Sequence, residues 1–165
     1  MNTTAEQQKD TTMERFLTFT LGDETYGFPV GVVKEVLESV ALTCIPRTTE
    51  YMKGVFNLRS SIIPVIDIRL LFKLGKNTDD NQNSVIVVDV VEKEGVTILG
   101  ILADNVKEVI ELSRENIESG DHLNQVEFVR KIGKKDDQFI LILDIYSIIK
   151  HVDTEINKLT QEEQG

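Results

Sequence analysis

Along Phe16-Leu17-Thr18-Phe19-Thr20-Leu21, bulky residues alternate with small ones, the period-two pattern of a β-strand, and Gly22-Asp23 supplies a turn into a partner strand over Tyr26–Pro29. Met52–Leu58 and Ser61–Ile66 read as a hairpin around Arg59-Ser60. Pro64 has no amide hydrogen for a ladder, so it belongs at an edge or a bulge. Asp67 ends that apolar run and is placed to cap a helix over Ile68–Leu74, and Asp144 repeats the arrangement before Ile145–Lys150. Val32–Glu38 fits a helical turn or a strand equally well. Val85–Val91, Val96–Leu102, Lys107–Glu111, Val126–Ile132 and Phe139–Leu143 are the remaining strand candidates. Polar segments separate and flank these elements. Met1–Glu14 has only Ala5 and Met13 as apolar residues and reads as a flexible tail, and Gly75–Asn83 reads as a linker. From residue 152 the chain is mostly polar, a tail or a short helix on which Val152, Ile156 and Leu159 share a face.

The two sides of the linker repeat each other. GFPVGVVKEVLE (Gly27–Glu38) and GILADNVKEVIE (Gly100–Glu111) are identical at six of twelve positions. IIPVIDIRLLF (Ile62–Phe72) parallels FILILDIYSII (Phe139–Ile149). The first pair is offset by 73 residues and the second by 77. A longer hairpin turn at Gly133–Gln138 would account for the difference. Two tandem copies of one unit follow, one about residues 15–74 and the other about 84–150, with room for chain exchange between them, inside a single domain of residues 15–151. About five short strands per unit argue for a mainly β fold of two small closed barrels with short helices. A unit of about 60 residues is marginal alone, so the two would share an apolar seam.

Composition narrows the function. The net charge of −10 speaks against nucleic acid and anionic membrane surfaces as partners. Cys44 is the single cysteine, which excludes an internal disulfide and fits a reducing cytoplasm; a buried or half-buried structural thiol is expected there. No signal peptide is read at the start, and the longest apolar run, Ser61–Ile66, is too short to span a bilayer. His122 and His151 have no metal-ligand spacing and read as surface residues. No phosphate-binding glycine loop exists, Asp79-Asp80 and Asp136-Asp137 read as turn residues, and Ser60-Ser61 lacks the flanking glycines of a nucleophile elbow. No catalytic role, metal or cofactor is expected.

The segments FLTFTLGDETYGFPV (Phe16–Val30) and GVFNLRSSIIPVIDIRLLF (Gly54–Phe72) resemble the CheW family, the second matching its GxxNLRGxxxPVxDLRxxF signature. The likeness spans about Phe16 to Lys150. It implies two SH3-like five-stranded barrels around a shared core. It also implies a non-enzymatic adaptor that couples the cytoplasmic tips of methyl-accepting chemoreceptors to the regulatory domain of the CheA histidine kinase. Such an adaptor is cytoplasmic and is recruited to membrane receptor arrays. Carried onto this sequence, the receptor contact falls on Val33, Glu35, Arg59, Val106 and Val109, with Val33 and Val106 as exposed groove residues and Glu108 beside them. The kinase contact falls on Leu42, Ile45 and Leu123, the last near Glu118. Ser60 departs from the family, which has glycine after NLR, and that substitution sets a serine where a left-handed backbone is expected. A CheW-like adaptor of a pilus-type signalling system and a small-molecule-binding β-barrel module are the competing readings.

Overall fold

The computed structural model describes residues 12–75, 84–120 and 127–153. The first half contributes β1 (Met13–Leu21), β2 (Glu24–Pro29), β3 (Val33–Glu38), β4 (Met52–Leu58), β5 (Ser61–Asp67) and the single-turn helix α1 (Ile68–Leu71). The second contributes β6 (Ser84–Glu92), β7 (Gly95–Ala103), β8 (Asn105–Ser113), β9 (Ile117–Ser119), β10 (Val129–Lys135), β11 (Gln138–Leu143) and the helix α2 at 145–153. A 3-10 turn at Val30–Val32 precedes β3, so Val32–Glu38 is a turn followed by a strand. β1 begins at Met13, which pairs with Ser113, and Glu14 pairs with Leu112, so the strand starts inside the polar segment that reads as a tail, its backbone held by the ladder with β8. Residues 1–11, most of the linker and the positions of Ile156 and Leu159 lie outside the described residues.

These strands form two sheets, ordered β8-β1-β2-β11-β10-β9 and β3-β6-β7-β5-β4. Each takes its first hairpin from one half of the sequence and its later strands from the other, so a cut at the linker would split both sheets. Two parallel pairings make the exchange: Ile142 opposite Gly27 in the first sheet, and Val65 opposite Gly100 in the second. These pairs are equivalent under the sequence repeat. The architecture is that of two SH3-like barrels related by a near-twofold axis. β4–β5 and β10–β11 are joined by two-residue turns of equal length, so the extra four residues of the second half lie between β8 and β10, where β9 sits, and not at Gly133–Gln138.

The core has three parts. Phe19 and Phe28 from the first sheet meet Ile66, Ile86 and Ile101 from the second, with Ile148 of α2, all fully buried. That shared layer joins the barrels. Phe16, Ile110, Leu112, Ile140 and Ile142 fill one barrel, and Phe56, Ile63, Val65, Val85 and Val87 fill the other. Alternation along β1 sends Leu17, Phe19 and Leu21 to the shared layer and Phe16 into the barrel. Thr18, also buried, satisfies its hydroxyl on the backbone of β8, donating to the Glu108 carbonyl at 2.8 Å and accepting from its amide at 3.3 Å. Both predicted caps form: the Asp67 carboxylate accepts the Arg69 amide at 3.0 Å, and that of Asp144 accepts the Tyr146 amide at 3.1 Å. Pro64 pairs only toward β4, because the ladder with β7 begins one residue later, at Val65.

Candidate interaction surface

The β4–β5 hairpin turns through Arg59 and Ser60, with φ of 48° and 72°. Two consecutive left-handed residues in a two-residue loop make a type I′ turn, whose twist matches the strands it joins. At the tip, the Arg59 guanidinium grips Glu35 of β3 in a fork, Nη1 to Oε1 at 2.9 Å and Nη2 to Oε2 at 3.4 Å. The Arg59 side chain remains 73% exposed while that of Glu35 is 22% exposed, so the carboxylate anchors the arginine and leaves its outer edge to solvent. Two residues that lie 24 apart in sequence thus form one feature. Apolar Val36 follows Glu35 and is exposed, as is Ile62, two residues past the turn.

The other candidates divide. Val33 and Val106 are half-buried against the shared core, not exposed groove residues, because the strand pleat turns them inward; Val36 and Val109 are the exposed members of the two VKEV copies. Glu108 is exposed. Leu42 is half-buried on the second barrel's filling, while Ile45 is exposed. Thr43 between them bridges to Val55 of β4, which pins this loop to the sheet edge. Cys44 is exposed, contrary to the expectation of a buried thiol: the Thr43 bridge settles the backbone and leaves the next side chain outward. His151 is half-buried, edge-on to Phe128 with ring centroids 5.5 Å apart, and so is not a plain surface histidine. Leu123 and His122 lie outside the described residues.

Sequence reasoning missed three features. Phe139, 64% exposed, occupies in the first sheet the position Ile62 holds in the second, and the repeat register would have paired them. Val91 and Val96 face each other across the β6–β7 hairpin and are both exposed. Arg69 and Asp104 form a 2.7 Å ion pair with side chains only 15% and 12% exposed, joining segments without any shared local signal. Burial raises the Tyr26 phenol above its ordinary value, with Glu24 adding to the shift and Arg69 opposing it. Among the described residues no group of three potential ligands gathers for a metal, and no helix is long and apolar enough to cross a membrane.

Residues 15–153 match the CheW-like domain. Chemotaxis protein CheW of Klebsiella aerogenes is 31% identical over 144 residues, covering 85% of this chain and 84% of that protein. Chemotaxis protein CheW of Treponema pallidum is 29% identical over 152 residues, covering 88% and 86%. The crystal structure of the scaffolding protein TtCheW from Thermoanaerobacter tengcongensis superposes with a TM-score of 0.73 at 33% identity, over 81% of this chain and 90% of that one.

Proposed function

Since this chain belongs to the CheW family of chemotaxis scaffold proteins, we propose that it couples methyl-accepting chemoreceptors to the CheA histidine kinase, by binding and without chemistry of its own. It works in the cytoplasm and is recruited to receptor arrays. The Arg59–Glu35 fork is the observation that supports this reading. It holds a charged, directional group at a hairpin tip, flanked in sequence by exposed Val36 and Ile62. A fixed ionic group at a hairpin tip, with exposed apolar side chains close by in sequence, suits a protein-binding surface. In this reading Val36, Val109, Glu35 and Arg59 meet the receptor, Val33 and Val106 support them from behind, and Leu42, Ile45 and Leu123 serve the kinase contact. Each contact is weak, about micromolar, and multivalency in the array makes the assembly stable.

Co-sedimentation of CheA with receptor-bearing membranes tests it. Arg59→Ala is expected to lower the kinase recovered severalfold while leaving the melting temperature unchanged, since the side chain is largely in solvent. Undiminished recovery with a folded variant would refute the assignment.

A further inference from the structure

The near-twofold relation places two junctions in equivalent positions, and they are finished differently. At the first, Asp104 between β7 and β8 accepts 2.7 Å hydrogen bonds from both the Gly22 amide and Arg69 Nη1, and Arg69 Nε donates to the Gly75 carbonyl at 3.2 Å. This clasp seals the junction. Under the repeat offsets of 73 and 77, Asp104 corresponds to Gly31 and Arg69 to Tyr146. Neither can make the pair. The second junction is instead a cleft of about 360 Å³, lined by Pro29, Val30 and Gly31 and by Tyr146, which is 48% exposed. Its floor is apolar and includes buried Phe16 and Ile145.

The rim is basic. Arg130 stands at the position of Lys53. Lys53 pairs with Asp67 at 3.7 Å, but Arg130 has no ion pair among the described residues, and the neighbouring Asp144 carboxylate is engaged by the Tyr146 amide and by the Ser147 hydroxyl at 2.9 Å. Lys131 and Arg15 complete the rim, held only loosely by Glu14 at 3.7 Å and Glu111 at 3.8 Å. The lining thus carries Arg15, Arg130 and Lys131 against Glu14 and Asp144, a small local excess of positive charge around an apolar slot on a chain of net charge −10.

We propose that this cleft docks an acidic segment of a partner protein. One large apolar side chain inserts against Tyr146, and flanking Asp or Glu carboxylates meet the guanidinium of Arg130 and the Lys131 ammonium. Charge complementarity points to such a segment, as does the open space that remains where the equivalent junction closes on itself. A volume at the lower end of the ligand-pocket range suits one or two side chains. Guanidinium forks favour carboxylates, and complementary charge steers the encounter. The cleft belongs to the first sheet and the Arg59–Glu35 fork to the second, so this inference does not rest on the receptor–kinase reading.

The test titrates the full ¹⁵N-labelled chain with a capped Asp-Glu-Phe-Leu-Asp-Glu peptide at low salt, with Lys-Lys-Phe-Leu-Lys-Lys as control. Saturable amide shifts centred on Val30, Arg130 and Tyr146 are expected for the acidic peptide only. Arg130→Glu is expected to weaken binding about tenfold. Gly31→Asp combined with Tyr146→Arg grafts the clasp into the cleft and is expected to abolish binding. A side chain at Gly31 meets nothing within 4 Å, and a thermal melt verifies that the graft folds; if it does not, Arg130→Glu alone decides. No saturable shift, shifts centred elsewhere, equal binding of the lysine peptide, or binding indifferent to these substitutions would overturn the proposal.

Discussion

Replacing Ser60 by glycine is expected to stabilise the protein. Ser60 takes φ of 72° at the second position of the hairpin turn, with its side chain exposed. A Cβ in the left-handed region crowds the following carbonyl, at a cost of roughly 1–2 kcal/mol. Glycine removes that cost, but it also loosens the unfolded chain, which returns about 0.4–1 kcal/mol. The difference, about 0.5–1 kcal/mol in favour of glycine, converts to a rise in Tm of about 1–4 °C for a chain of this size. Two controls isolate the cause. Ser60→Ala keeps the Cβ and is expected to give no gain. Asp137→Gly, at φ of 64° in the equivalent turn, is expected to gain less, because aspartate tolerates this region better than most residues. Differential scanning calorimetry or urea denaturation reads all three. If Ser60→Gly melts at or below the parent, or if Ser60→Ala gains equally, the backbone argument fails.

Three further outcomes are expected. Arg69→Ala strips the guanidinium from a carboxylate only 12% exposed and should cost about 2–3 kcal/mol by denaturant titration; a loss below half that would mean the pair is not what closes the junction. Gly100→Ala drives a Cβ to 2.9 Å from side-chain carbons of both Val65 and Val85 and should cost about 1–3 kcal/mol, whereas Gly27→Ala, at the equivalent register position with its nearest neighbour at 3.4 Å, should cost less; the reverse order would refute the packing account. Burial, and then the Glu92 charge, holds the Asp153 carboxyl above its ordinary value. The folded chain therefore keeps this proton to higher pH than the unfolded chain, and stability falls slightly as pH rises through that window. Carboxyl NMR titration should show the shift, reduced by Glu92→Gln; an unmoved titration curve in that variant would contradict the assignment.

What the sequence alone determined is local. Period-two alternation located β1, apolar segments between turn signals located β2, β4, β5, β6, β7, β8 and β11 to within a few residues, and the carboxylates at Asp67 and Asp144 marked both helix starts. Arg59-Ser60 marked a tight turn, and the VKEV repeat announced the duplication. Each of these signals sits within one turn or one strand of its cause. The tertiary structure decided the rest. The repeat left room for chain exchange without saying which strands make it; β2 pairs with β11 and β5 with β7, because the partner of an unpaired strand edge is chosen across the whole chain. Val33 and Val106 carry the same side chain as Val36 and Val109; the pleat sets the two pairs on opposite faces, and the layer packed against β3 and β8 decides which face is inward. A lone thiol such as Cys44 reads as buried or half-buried, but a single bridge at Thr43 leaves it exposed. Glu35 and Arg59, and likewise Arg69 and Asp104, became partners only once barrel closure carried them together. Local chemistry writes each strand; which strands and which charges meet depends on burying the shared apolar layer, and that is a property of the whole chain.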